Sequence, residues 1–148
     1  MAPLGSKAIH LDLAIVYTCI YNEEMLLFEI TDAFARHKLK YAIVGGYAMA
    51  LHGLVRATMD VDFVLNLTLT DFELAEKVLR EIGMQSRLPI RAPDVIKMRK
   101  EYIEARNLVA WSFVDYKDPT RQVDILITLG LADIKTEKIS VGGRKLVV

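Results

Sequence analysis

This chain has few of the residues that cross-link or interrupt a fold. Its 148 residues include one cysteine, Cys19, and four prolines. A lone cysteine excludes an internal disulfide and a zinc cluster built on several cysteines, and it is typical of proteins in a reducing compartment. We therefore expect a cytoplasmic protein held together by a hydrophobic core, for which its 53% of hydrophobic residues is sufficient.

Long apolar runs are also missing. The most apolar stretch near the N-terminus, residues 14–20, is far shorter than the roughly 20 residues that span a bilayer. Lys7 is the only early positive charge and no clear small-residue cleavage site follows, which argues against a signal peptide. We expect no membrane association and a single domain over residues 1–148, with residues 1–21 open to being an N-terminal extension.

An excess of charge of one sign is absent as well, since 19 basic and 19 acidic residues give a net charge of zero. Such a neutral chain exerts no overall attraction on nucleic acid. A local exception is the stretch 85–100, which has a single acid, Asp94, and these basic residues: Arg87, Arg91, Lys97, Arg99 and Lys100. If this stretch borders a site, it can hold a triphosphate or an RNA. Otherwise it is the solvated side of a helix.

Several catalytic motifs are missing. The chain has no Gly-Lys-Ser/Thr phosphate loop, no His-Glu-x-x-His motif and no Gly-x-Ser-x-Gly motif. Its three histidines, at positions 10, 37 and 52, are scattered. These absences argue against a P-loop NTPase, a zinc peptidase and a serine hydrolase, and they leave the carboxylates as the residues of chemical interest.

Hydrophobic spacing and turn residues predict a fold that mixes helices and strands. The expected helices are 23–37, 47–51, a helix that runs from a capping box at 70–73 to residue 81 or 82, and 93–106. The expected strands are 41–45, one that opens at 60, a short edge strand at 84–88, and the hairpins 108–116 with 122–128 and 138–141 with 145–148. Aromatic side chains expected to pack in the core are Tyr102, Trp111, Phe113 and Tyr116. This order predicts the α+β class, with a mixed β-sheet flanked by helices.

Carboxylates recur near the start of two of these strands. Side chains two residues apart on a strand point to the same face, so Asp60 and Asp62 project together. In the strand over 122–127, the same alternation separates Asp124 from the apolar residues around it. Carboxylates held close together repel unless a cation lies between them, and Mg²⁺ or Mn²⁺ is the natural partner of oxygen ligands. Taken alone, Asp-Val-Asp is also ordinary solvated surface, and it is the combination and order of these residues that favours a metal site.

A Gly-Gly pair follows the first strand. Gly45 and Gly46 lie between a β-branched run and a segment of good helix formers, which reads as strand, tight turn and short helix. Backbone N–H groups there can approach a phosphate closely, next to a helix N-terminus that favours negative charge. The alternative is a plain turn that requires a positive φ.

The stretch VGGYAMALHGLVRATMDVDF, residues 44–63, together with Asp124 resembles the signature of the nucleotidyltransferase superfamily with the DNA polymerase beta-like fold. Within it, the chain is most similar to the prokaryotic branch that includes the AbiEii-type toxins. The resemblance implies transfer of an NMP from an NTP to an acceptor hydroxyl, with release of pyrophosphate. It also implies that Asp60, Asp62 and Asp124 are catalytic ligands of Mg²⁺ or Mn²⁺ and that Gly45 and Gly46 contact the nucleotide phosphates.

Further residues of the signature have less defined roles. Arg56 and Thr58 are expected to steady the loop or a phosphate, and a salt bridge and a turn hydroxyl remain the alternatives. His52 is expected to close the short helix rather than to act in catalysis. The acceptor stays open between a tRNA, a protein and a small molecule, because only about two dozen residues follow Asp124 where members of the superfamily usually carry an acceptor-binding part.

A second interpretation is a non-catalytic or regulatory module with the same fold, for example one component of a toxin-antitoxin pair, that acts by binding a partner protein. The apolar strip 146–148 motivates it, because such a strip can add to a sheet edge in a partner or in a second copy of the chain. A homodimer or a complex with a partner protein is therefore left open.

Overall fold

The computed structural model of the protein describes residues 24–54 and 60–148. Its helices are α1 (Glu24–Arg36), α2 (Gly45–Leu51), α3 (Leu69–Glu81), α4 (Ala92–Lys97) and α5 (Arg99–Arg106), with a 3₁₀ turn at Leu131–Asp133. Its strands are β1 (Ala42–Val44), β2 (Asp60–Val64), β3 (Met84–Ser86), β4 (Ala110–Asp115), β5 (Gln122–Leu126), β6 (Lys138–Val141) and β7 (Arg144–Val147).

The five strands β1 to β5 form one sheet in the order β1-β2-β5-β4-β3. Strands β2 and β5 are parallel, and the other neighbouring pairs are antiparallel. The expected α+β class with a mixed sheet flanked by helices is confirmed. Strand β3 lies at an edge of this sheet, and β6 and β7 form a separate antiparallel hairpin, both as expected.

The apolar face of the sheet is covered by α1 and α3. Phe34 of α1 contacts Phe63 of β2 edge-on, with ring centroids 5.2 Å apart. Phe72 of α3 stacks in parallel on Trp111 of β4 at 6.1 Å. The apolar side chains that alternate with the carboxylates on β2 and β5 are also fully buried: Val61, Phe63, Val123 and Ile125. Strand alternation therefore predicts the buried face correctly.

Helix α3 begins earlier than the sequence pattern predicts. Its N-cap is Thr68 rather than Thr70, because the hydroxyl of Thr68 accepts a hydrogen bond from the backbone N–H of Asp71 at 3.2 Å. The side chain of Asn66 donates to Asp71 at 2.9 Å and supports this earlier start. The predicted end is confirmed, since Gly83 follows the helix with φ +88.

The helix expected over 93–106 is divided into α4 and α5 by one residue, Met98. Pro93 is the second residue of α4 rather than its first. At the start of α5, Arg99 donates hydrogen bonds to the carbonyls of Ile127 at 2.5 Å and Thr128 at 3.3 Å. Tertiary contacts of this kind leave no trace in hydrophobic spacing, so the sequence pattern merges the two helices.

Two further expectations need correction. Tyr116 is 70% exposed and lies outside the core, because it follows the end of β4 at Asp115. The strip 146–148 is not exposed, since Leu146 and Val148 have only 1% and 8% of their surface accessible. Among the helices of the described ranges, none is long and apolar enough to cross a membrane.

Candidate functional site

The face of the sheet opposite α1 and α3 carries the predicted carboxylates. The pairing register places Val44, Asp62, Asp124 and Ser112 side by side across β1, β2, β5 and β4. Asp60 lies beside Gln122 in the next row. All of these residues except Val44 are polar, and all are half-buried, so this face is a polar strip on an otherwise apolar sheet.

The parallel pairing of β2 with β5 brings the three carboxylates together. Asp62 is directly opposite Asp124, and adjacent strands lie about 4.8 Å apart. Asp60 and Asp62 share one face because they are two residues apart in β2. Asp60 begins β2, whereas Asp62 and Asp124 are the middle residues of β2 and β5, and both strands are interior to the sheet.

The carboxylates on this face repel one another. Burial raises the pKa of Asp60 above its ordinary value, and the negative charge of Asp124 raises it further, while the positive charge of Arg87 acts in the opposite direction. The cluster is therefore a place where added positive charge lowers the free energy of the ionised protein.

Gly45 is packed directly against Asp62. Its φ is +69, and a Cβ placed on it would lie 2.1 Å from Oδ2 of Asp62. Gly45 and Gly46 are the first residues of α2, and Val44 before them provides no side-chain cap. The first N–H groups of a helix have no acceptor within the helix. In α2 these groups begin at Gly45, which lies against Asp62, and Val44 does not cap them. The positive φ is the feature of the plain-turn alternative, and the contact with Asp62 adds a second reason for glycine.

Gln122, which the sequence motifs did not indicate, and Arg87, a member of the basic stretch 85–100, complete the polar strip. Gln122 Nε2 donates to Asp124 Oδ1 at 3.1 Å, and Arg87 Nη1 donates to Gln122 Oε1 at 3.0 Å. Gln122 is two residues before Asp124, so strand alternation already held the signal for it. Arg87 follows β3, and only the order of strands β3, β4 and β5 brings it near the carboxylates.

The other basic residues of the stretch 85–100 do not form one binding surface with Arg87. Arg91 is paired with Glu76 at 2.5 Å, and Arg99 binds the backbone carbonyls after β5. Arg91, Lys97 and Lys100 are exposed, in agreement with the alternative of a solvated side, whereas Arg99 is held by carbonyl groups. Whether Arg87 contributes to a triphosphate or RNA site stays a prediction.

The remaining predicted residues are placed as follows. His52 is the C-cap of α2, as expected, and its Nδ1 lies 3.3 Å from Glu137. Arg56 and Thr58 lie outside the described residues, so their expected roles stay predictions.

The three aspartates fit a hard divalent cation by their chemistry. In the arrangement described for residues 24–54 and 60–148, no group of three or more His, Cys, Asp or Glu side chains is placed to hold a metal ion. Mg²⁺ is commonly held by one or two carboxylates, with substrate phosphates and water as its other ligands. Binding here thus requires rotation of a carboxylate or ligands from a substrate.

Two surface cavities of about 750 Å³ each lie outside the carboxylate cluster. One lies over α3 and α4 and is lined by charged residues such as Glu76 and Arg91. The other is an apolar groove between α2 and the segment 134–137, and Gly45 lies at its border. The groove therefore reaches the glycine turn, whereas none of the three aspartates lines either cavity.

Comparison with known proteins identifies no relative of this chain. The chain matches no protein-family model, no curated protein and no solved structure.

Proposed function

We propose that the protein is a metal-dependent nucleotidyltransferase that moves an NMP from an NTP to an acceptor hydroxyl and releases pyrophosphate. One observation supports this best: three carboxylates from distant parts of the chain share one sheet face beside a glycine turn that opens a helix. A metal-bound triphosphate needs this combination of anionic metal ligands and close backbone N–H groups.

In this proposal Asp60, Asp62 and Asp124 hold Mg²⁺ or Mn²⁺. The bound cation would neutralise the triphosphate and polarise the phosphorus under attack. Asp124 accepts the proton of the acceptor hydroxyl, while the backbone of Gly45 and Gly46 approaches the phosphate oxygens. The acceleration comes mainly from positioning and from charge neutralisation.

Titration calorimetry with each NTP, with and without Mg²⁺ or Mn²⁺, tests the nucleotide site. We expect binding that depends on the metal and that is lost when Asp60→Asn and Asp62→Asn are combined. The matched control replaces two exposed acids of α5, Glu101→Gln with Glu104→Gln, which removes the same charge away from the sheet. Binding of every NTP without metal, or unchanged binding in the Asp60/Asp62 variant, contradicts the proposal.

The alternative of a partner-binding module loses the observation that motivated it. Leu146 and Val148 are buried, and Val148 exchanges backbone hydrogen bonds with Glu137 at 2.9 Å in both directions. The strip is thus engaged within the chain.

A further inference from the structure

A chain of side-chain hydrogen bonds crosses the polar strip from its edge to its centre. Arg87 Nη1 donates to Gln122 Oε1 at 3.0 Å, and Gln122 Nε2 donates to Asp124 Oδ1 at 3.1 Å. Gln122 and Asp124 lie on the same face of β5, and Arg87 reaches them from beyond β4, where its backbone N–H donates to Ser112 at 2.9 Å. The three side chains therefore come from two separate parts of the sequence, Arg87 from one and Gln122 with Asp124 from the other.

The chemistry of these groups permits one direction for the chain. A guanidinium has only donors, so the amide oxygen of Gln122 must face Arg87. The amide nitrogen must then face Asp124, where it donates to the carboxylate. The ionised carboxylate of Asp124 only accepts hydrogen bonds, so it favours the same orientation of the amide. Arg87 thus adds a second constraint, which holds the oxygen end of the Gln122 amide and keeps its nitrogen on Asp124.

Arg87 differs from Arg91 and Arg121 in the partner of its guanidinium group. Arg91 is paired with Glu76 and Arg121 with Glu29, both at 2.5 Å. Within the described part of the chain, Arg87 forms no direct ion pair, and its hydrogen bond goes to the neutral Gln122. Its contact is with the residue that holds Asp124.

We propose that Arg87 and Gln122 form a positioning pair that fixes the orientation of the Asp124 carboxylate beside Asp60 and Asp62 for the metal and the acceptor hydroxyl. This inference rests on the proposed transferase function for its catalytic consequence. The orientation of Asp124 is a separate claim, which can be tested without substrate. Arg87 orients Asp124 through Gln122, whereas its positive charge acts on Asp60 directly. A replacement that keeps the charge, Arg87→Lys, therefore has no further effect once the Gln122 amide is removed.

Nuclear magnetic resonance of the side-chain amides in the full chain tests the orientation. The Gln122 amide signals are assigned by their loss in Gln122→Met. We expect Arg87→Met and Asp124→Asn each to change the chemical shifts of these signals. Arg87→Lys keeps a hydrogen-bond donor, so the signals in that variant should stay close to their wild-type chemical shifts. The control Arg106→Met, at the exposed end of α5, leaves them unchanged. Unchanged Gln122 signals in Arg87→Met overturn the positioning pair.

Kinetics of NTP-dependent transfer and binding of Mn²⁺ test the consequence. We expect Gln122→Met to lower kcat or Mn²⁺ affinity about 10-fold, as loss of a group that orients a metal ligand does. The Arg87→Lys/Gln122→Met double variant, which keeps the positive charge near Asp60, should equal Gln122→Met alone. If the double variant loses more kcat or Mn²⁺ affinity than Gln122→Met alone, Arg87 contacts the substrate itself, and the positioning role is overturned. If wild-type protein shows neither Mn²⁺ binding nor transfer, the proposed function fails, while the amide signals still decide the orientation of Asp124.

Discussion

At the scale of single residues, the site depends on side chains whose neighbours leave them little freedom. Asp62 is confined between Gly45 on one side and Asp124 on the next strand. Asp60 carries a raised pKa because it is partly buried and close to Asp124. Close packing and repulsion at one place are unfavourable for stability, and such arrangements are typical of functional sites.

Substitution of Gly45 tests the close packing. We expect Gly45→Ala to lower the free energy of unfolding by about 2 kcal/mol or more, because both its positive φ and the contact with Asp62 oppose a Cβ. Urea unfolding measures the change. Gly142→Ala is the matched control, since its φ of +55 carries similar strain but its Cβ would meet nothing within 4 Å. Equal losses in the two variants would show that the contact with Asp62 is unimportant.

The dependence of stability on pH tests the repulsion at Asp60. A folded pKa above the unfolded value means that the native state binds more protons, so this group's contribution becomes unfavourable as pH rises from about 3.8 through the folded pKa. We therefore expect Asp60→Asn to be more stable than wild type at pH 7 and to lose this advantage near pH 4. Urea unfolding over this range gives the comparison.

Asp118→Asn is the control of opposite sign. Hydrogen bonds from Thr120 lower the pKa of Asp118, so its carboxylate stabilises the protein at neutral pH and loses this effect as pH falls through the folded pKa. We expect Asp118→Asn to be the less stable protein at pH 7. An Asp60→Asn variant that behaves in the same way would contradict the repulsion.

At the scale of elements, the junction between α3 and α4 depends on one buried acid. Glu76 of α3 has 4% of its surface accessible, and it accepts hydrogen bonds from Arg91 at 2.5 Å and from the backbone N–H of Ala92 at 3.2 Å. The carboxylate thereby engages an N–H group at the start of α4. Its contacts explain why α4 begins where it does.

Removal of this carboxylate should loosen α4. We expect Glu76→Ala to lower the free energy of unfolding by about 2 kcal/mol, because the buried N–H of Ala92 loses its acceptor. Glu73→Ala, an exposed acid of the same helix, is the control and should change stability by less than about 0.5 kcal/mol. Equal effects in urea unfolding would contradict a specific role for Glu76.

At the scale of the whole molecule, the C-terminal hairpin belongs to the fold. Arg144 of β7 binds Asp32 of α1 at 3.0 Å and lies over the ring of Phe28 at 4.6 Å. Leu146 lies in the same hydrophobic core as the residues of the five-stranded sheet. These contacts tie the last strand to the first described helix.

Truncation of the buried leucine tests this attachment. We expect Leu146→Ala to lower the free energy of unfolding by about 2 to 3 kcal/mol, since a cavity remains where the side chain was. Val109→Ala, at a position 57% exposed, is the control. An unchanged stability of Leu146→Ala would mean that the strip is free, and the partner-binding interpretation would regain its basis.

Much of the site was predictable from local sequence. Alternation on β2 and β5 separates Asp60, Asp62 and Asp124 from their buried neighbours, because the pleat of a strand is a local property. The predictions were wrong where tertiary contacts determine a helix boundary or the burial of a side chain. Examples are the division of the expected helix 93–106 at Met98 and the exposure of Tyr116.

Periodicity and turn residues act within a few positions of the chain, so the amino-acid sequence specifies most of the elements and the face that each aspartate occupies. The parallel pairing of β5 with β2, which places Asp124 opposite Asp62, arises only when distant segments fold together. Folding also brings Arg87 to Gln122, a contact across 35 positions of the chain. Pairing of distant strands depends on the burial of the whole core, and no local pattern carries that information.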